Sequence, residues 1–139
     1  MAKGPVFVLF VACLSFHGCK KGGCNVVDYI PFQQTISLVA FNELHLLMQP
    51  VALGPEYGGV AGLIVMQVSE GEYVAFDRCS TVNPEKRCAV ELEGEGPVAV
   101  DPCSGAKFIL TNGSPSAIAE CPLRPYYVRR NGEILTVSN

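Results

Sequence analysis

Residues 98–127 read VAVDPCSGAKFILTNGSPSAIAECPLRPYY, and the punctuation of this stretch decides the fold. Val98–Val100 is a short apolar run stopped by Asp101-Pro102. Cys103-Ser104-Gly105 forms a turn, because glycine accepts the positive φ that a tight reversal often requires. Residues 107–110 resume an extended course, and Thr111-Asn112-Gly113-Ser114-Pro115 is a second, stronger turn signal. The order is strand, tight turn, strand, polar turn, then a loop returning into a final hairpin that reverses at Asn131-Gly132.

The rest of the chain has the same character. A length of 139 residues suits one domain, and 49% apolar residues allow it a sizeable core. Only 17% are charged, valine is abundant, and helical periodicity is nearly absent, so strands are expected. The net charge of −3, with no basic run longer than the pairs Lys20-Lys21, Lys86-Arg87 and Arg129-Arg130, argues against a nucleic-acid partner. Residues 26–30 and 35–41 read as strands, the second beginning with the polar–apolar alternation of a half-buried strand. Residues 42–48 suit either one or two helical turns or a third extended piece. Residues 53–62, with four glycines and a proline, read as a loop. A hairpin then joins residues 63–68 to residues 73–77 through Ser69-Glu70-Gly71-Glu72.

The N-terminus supplies a compartment for seven cysteines. Residues 5–16 form a mostly apolar run, too short to span a bilayer, which takes roughly 20 residues, but suited to a signal-peptide core. The run ends at Gly18-Cys19. A small residue before a cysteine, directly after the apolar core, resembles a bacterial lipoprotein cleavage site. Cleavage at the rival Ala12-Cys13 leaves the core too short. The expected organisation is a lipoprotein signal peptide over residues 1–18, a tether over 19–25 that begins at a lipidated Cys19, and a β domain over 26–139. The alternative is an ordinary secreted protein whose Cys19 pairs in a disulfide.

The order of elements closely resembles a Rieske iron–sulfur domain. That family has a Cys-Pro-Cys-His-Gly-Ser-x-Phe turn, a glycine turn, a loop of small residues and proline, and a Pro-Leu-x-x-Tyr strand. The matching residues are Pro102, Cys103, Gly105, Phe108, Gly113, Pro122, Leu123 and Tyr126. Upstream, Tyr73-Val74-Ala75-Phe76-Asp77-Arg78-Cys79 resembles the lead-in to the family's first cluster loop. The resemblance spans about residues 58–137 and implies an all-β, Rieske-like antiparallel β-sandwich, completed by family-specific β-structure before residue 58. Phe76, Phe108, Leu110 and Tyr126 are expected to serve its core. The chain also looks like lipoproteins of Bacteroidetes-type bacteria, which implies an outer-membrane lipoprotein facing the periplasm.

The ligands of the family do not match. A Rieske cluster takes two thiolates on one iron and two imidazoles on the other, supplied as Cys-x-His and Cys-x-x-His. Here the former ligand positions hold Cys79, Thr81, Asp101 and Ser104. Beyond the signal segment there is one histidine, His45, more than thirty residues before the first loop. Two imidazoles cannot come from one histidine, so no metal and no cofactor is expected. Cys79, Cys88, Cys103 and Cys121 are spaced by nine, fifteen and eighteen residues, with no Cys-x-x-Cys to indicate zinc or a plant-type cluster. Exported cysteines more often form disulfides. The family commonly bridges its two loops through a second cysteine in each, and Cys88 and Cys103 match those positions, although residues 82–87 lengthen the first loop. The resemblance thus implies a Cys88–Cys103 disulfide, worth about 3 kcal/mol for a loop of this length; partners for Cys24, Cys79 and Cys121 stay open.

No catalytic set can be assembled. A cysteine nucleophile needs a base, and His45 among leucines reads as a packed or surface side chain. Glu91, Glu93 and Glu95 read as a solvated hairpin, and Asn112-Gly113-Ser114, though a glycosylation sequon, is fully explained as a turn. The expectation is a non-enzymatic, lipid-anchored envelope protein with a Rieske-like fold that binds or supports another, unidentified envelope protein. The alternative is an electron-transfer protein holding a 2Fe–2S cluster through atypical ligands.

Overall fold

The computed structural model describes residues 23–139 and the isolated Gly4; the signal peptide expected over residues 1–18, and Cys19 with its lipid, lie outside the described residues. Ten strands form two sheets. They are β1 (Gln33–Ser37), β2 (Val51–Leu53), β3 (Leu63–Ser69), β4 (Glu72–Asp77), β5 (Glu91–Leu92), β6 (Val98–Val100), β7 (Lys107–Ile109), β8 (Pro115–Ala117), β9 (Pro125–Asn131) and β10 (Ile134–Ser138). The larger sheet has the order β1-β10-β9-β4-β3-β2 and the smaller the order β5-β6-β7-β8. Every pairing within them is antiparallel. Three short 3-10 turns, Asn42–His45, Pro55–Tyr57 and Pro84–Lys86, are the only helical elements among the described residues.

β3 explains how two sheets share one small domain. Leu63, Ile64, Val65 and Met66 are all fully buried, as a continuous apolar run on a strand covered on both faces should be. Because successive side chains alternate across a strand, Leu63 and Val65 enter one core with Ile36, Leu38, Leu44, Leu53, Ala75, Tyr126, Leu135 and Val137. Both edge strands, β1 and β2, contribute to that cluster, so the larger sheet curls around it. Ile64 and Met66 enter the second core with Phe76, Val90, Ala99, Ala106, Phe108, Leu110 and Leu123, where the smaller sheet packs.

Two sequence expectations need correction. Residues 26–30 are not a strand: Val27 is buried in a third small cluster with Ala61 and Cys79, and the segment has no ladder partner. Its apolar residues pack as an irregular strap. The strand expected over residues 35–41 ends at Ser37, where the chain turns under the β9–β10 hairpin and Leu38 N–H donates to the Glu133 carbonyl at 2.8 Å. Residues 42–45 take the short helical alternative, with Leu44 buried.

The turn at residues 111–115 depends on Gly113, whose φ is +77°. A Cβ there would lie 2.7 Å from the Phe76 ring, inside the second core. Gly113→Ala combines a strained backbone with an overlap against a packed aromatic, and is expected to lower stability by about 2 kcal/mol. A urea unfolding midpoint that drops at unchanged slope is the readout.

Candidate functional site: the paired loops

Two loops meet at the end of the β3–β4 hairpin where Leu63 pairs with Asp77. The first, residues 78–90, leaves β4 and is closed at its base by an antiparallel bridge between Cys79 and Ala89. Ser80 N–H donates to the Cys88 carbonyl at 2.8 Å and Val90 N–H to the Arg78 carbonyl at 2.7 Å. The second, residues 101–106, connects β6 to β7. It reverses through Gly105, at φ +78°, with Gly105 N–H donating to the Asp101 carbonyl at 2.7 Å.

A buried carboxylate joins the loops. Asp101 is fully buried, and none of the ion pairs among the described residues includes it. Its Oδ2 accepts from the hydroxyls of Ser80, at 2.7 Å from the first loop, and Ser104 in its own loop. Its Oδ1 accepts from Cys103 N–H at 2.8 Å. Burial alone would raise its pKa. The Ser104 and Ser80 hydroxyls and the N–H groups of Cys103 and Ser104 outweigh that, holding it below the ordinary 3.8. A second crosslink is covalent: Cys88 is disulfide-bonded to Cys103, with Cα atoms 6.4 Å apart.

Asp77, also fully buried, is a second such anchor at the end of β4. Its Oδ2 accepts from Val60 N–H at 2.7 Å and the Tyr126 hydroxyl at 2.6 Å. Its Oδ1 accepts from Cys79 N–H at 2.7 Å and Ala61 N–H at 3.2 Å. Burial, then the Asp77 carboxylate beside it, pushes the Tyr126 phenol well above its usual range, so this hydroxyl stays a donor. The glycine-rich loop, β4, the first cluster loop and β9 are thereby tied to one side chain.

Cys79, Thr81, Asp101 and Ser104, the residues expected at the family's ligand positions, come to this end of the molecule, and each is committed elsewhere. Cys79 is free but fully buried against Val27 and Ala61. Burial and then the Asp77 carboxylate push its thiol up to about 11, against the thiolate form that binds metal. Thr81 donates its hydroxyl to the Cys121 carbonyl at 2.7 Å. Asp101 and Ser104 are bonded to each other within the crosslink just described. Cys88, Asp101 and Cys103 lie within 4.8 Å of one another, the spacing of a metal site. Their sulfurs, however, are bonded together and leave no thiolate. His45 pairs with Glu133 at 3.2 Å, beside the β9–β10 hairpin at the opposite end. The residues present do not fit a Rieske cluster.

Sequence reasoning missed three features. Cys24 is disulfide-bonded to Cys121, across 97 residues. Asn25 accepts from Arg124 at 3.0 Å, so Cys24 and Asn25, expected as tether, are held to the domain. The roles of Asp77 and Ser80 as loop anchors were also unread. Asp77 closes the largely apolar run of residues 73–76, the one local hint of a buried acid. Glu91, Glu93 and Glu95 do sit on a hairpin, where Glu93 pairs with Lys107 at 2.7 Å.

No family model and no curated protein matches this sequence. Among solved structures the chain is similar to the ferredoxin of carbazole 1,9a-dioxygenase from Nocardioides aromaticivorans IC177. There the identity is 18% and the TM-score 0.47, over 78% of this chain and 97% of that one. It is similar to a chain in the complex of reduced oxygenase and oxidized ferredoxin of carbazole 1,9a-dioxygenase, at 19% identity and a TM-score of 0.49, covering 76% and 92%. A protein assigned as the small subunit of an NADH-dependent nitrite reductase from Mycobacterium tuberculosis is 17% identical, with a TM-score of 0.46, covering 80% and 97%. At these identities the likeness concerns the course of the chain alone. What the structure itself shows is an all-β fold of two antiparallel sheets, with paired loops at one end whose polar side chains are bonded to one another.

Asp101→Asn replaces one acceptor oxygen by a donor facing Cys103 N–H or the serine hydroxyls, and is expected to cost about 2 kcal/mol at neutral pH. Folding lowers this pKa, so the unfolded chain binds the proton more tightly. The stabilisation from Asp101 is therefore full above 3.8 and disappears as pH falls through the lower folded value. Urea unfolding of wild type and variant should differ most at neutral pH and converge in acid.

Proposed function

We propose that this chain is a lipid-anchored protein of the bacterial envelope, facing the periplasm from the outer membrane. Its Rieske-like domain carries no cluster and binds or supports another envelope protein. The observation that carries the reading is the Asp101 crosslink. Where the family's loops meet over iron, these loops meet over a buried carboxylate, two serine hydroxyls and a disulfide, and that set holds their geometry without a metal. Thr and Ser hydroxyls are poor metal ligands at neutral pH, and a carboxylate is a hard donor ill-matched to an iron–sulfide core. The same site supports a non-enzymatic role. The thiol of Cys79 is buried and its pKa raised, and among the described residues the one histidine, His45, pairs with Glu133 at the opposite end. The periplasmic address is supported by the apolar core ending at Gly18-Cys19 and by disulfides that persist in an oxidising compartment.

Protein purified without oxygen should show no visible absorption of an iron–sulfur centre and neither iron nor acid-labile sulfide in proportion to the chain. Cys79→Ser should keep the fold at a cost of about 1 kcal/mol, since the Pro84 carbonyl, 3.6 Å from Sγ, can accept from the new hydroxyl. Stoichiometric iron and sulfide that vanish in this variant would establish electron transfer instead. The anchor is tested separately. Cys19→Ala should move the protein from the membrane fraction to the soluble one, and a variant that stays with the membranes refutes the lipid at Cys19.

A further inference from the structure

The described chain starts against the paired loops. The Cys24–Cys121 disulfide pins it there. Arg124 donates to the Asn25 side chain and, at 2.6 Å, to the Val27 carbonyl, and its guanidinium lies 5.3 Å from the centre of the Tyr29 ring. Arg87 of the first loop pairs with Asp28 at 3.7 Å. Residues 24–29 are thus held to the loop end, although they belong to no sheet.

Three apolar side chains stand out of this end. Val26 is 39% exposed, Tyr29 61% and Ile118 65%. Ile118 has φ +68°, the left-handed region that a β-branched residue rarely adopts. Its Cδ1 lies against the Gly105 turn of the second loop, 3.6 Å from where a Cβ of Gly105 would be. The fold therefore holds a large apolar side chain in water, on a strained backbone, three residues from the disulfide that fixes the start of the domain. Charges here balance, Lys86, Arg87 and Arg124 against Asp28, Glu85 and Glu120, so this end carries no net charge to repel a lipid surface.

We propose that this end of the domain lies on the bilayer that holds the chain's own lipid, with Val26, Tyr29 and Ile118 in the headgroup interface. The proposal rests on the reading of Cys19 as the lipidated residue. The length of the tether supplies the constraint. From Cys19 to Cys24 is five residue steps, at most about 18 Å when fully extended. A domain of this size has a radius of gyration of about 13 Å and is on the order of 35 Å across. The tether is too short to bring the opposite end to the membrane. That end carries another exposed apolar group, Leu46, Leu47 and Met48, beside Gln67 toward the far end of β3. Tyrosine suits the interface, where its ring is apolar and its hydroxyl wet, and Lys20-Lys21 next to the anchor favours anionic headgroups.

The chain contains no tryptophan, so single tryptophans report cleanly. Tyr29→Trp, Ile118→Trp and Leu47→Trp are made in the full lipidated chain and reconstituted in vesicles of phosphatidylethanolamine and phosphatidylglycerol. A spin-labelled lipid bearing its quencher near the headgroup is then included. Tyr29→Trp and Ile118→Trp should each lose roughly half of their emission, as expected for an indole at the interface, while Leu47→Trp changes little. The first two report independently, so misfolding of one leaves the other to decide. Vesicle flotation separates the two ways of failing. A chain that does not float has no anchor, which removes the reading of Cys19 and the proposal together. A chain that floats with Tyr29→Trp and Ile118→Trp unquenched, or with Leu47→Trp quenched as strongly, overturns the orientation alone.

Discussion

A carboxylate taken out of water without a cation must be satisfied by hydrogen bonds, or it unfolds the segment that carries it. Asp101 meets that requirement with donors from both loops, and the loop end depends on the result. Ser80 comes from the first loop; Ser104 and Cys103 N–H come from the second. Because the donors are shared across the gap, neither loop can move without exposing an unpaired buried oxygen. The Cys88–Cys103 bond restrains the same two loops in the unfolded chain, where a crosslink removes conformational entropy. One device acts on the native state and the other mainly on the denatured state.

Asp77 extends the same logic into the scaffold. Its four acceptor contacts join the loop at Val60-Ala61, the start of the first cluster loop at Cys79, and Tyr126 on β9. β4 and β9 are paired at that point through Ala75–Tyr126 and Phe76–Pro125. The end of the larger sheet is thus rigid before the loops begin. The loops therefore hang from a frame fixed by hydrogen bonds among the chain's own residues. The buried Cys79 fits the same picture, since its thiol faces the Val27–Ala61 cluster and serves as a small apolar group.

A binding role places the demand on surfaces rather than on a reactive centre. Two exposed apolar groups lie at opposite ends of the β3–β4 hairpin, one around residues 26–29 and 118 and the other at residues 46–48. An anchor at the first end would leave the second pointing away from the bilayer, toward the periplasmic space where a protein partner would be met.

The strands from residue 63 onward, and the turns between them, were legible in the sequence because they rest on local chemistry. Residues 63–68 are a continuous apolar run, Gly113 allows a reversal that other residues resist, and glycine at 105 turns the second loop. The shortage of cluster ligands was legible for a simpler reason: one histidine beyond residue 18 cannot supply two imidazoles. What tertiary structure alone decided is long-range. Residues 26–30 have strand-like composition but join no sheet, and the Cys24–Cys121 bond and the burial of Val27 hold them as a strap instead. No spacing rule selects a partner 97 residues away, because the distance that matters is spatial. Asp77 and Asp101 look like ordinary turn acids in one dimension. Their burial, and so their task, arises only when donors from separate segments converge on them.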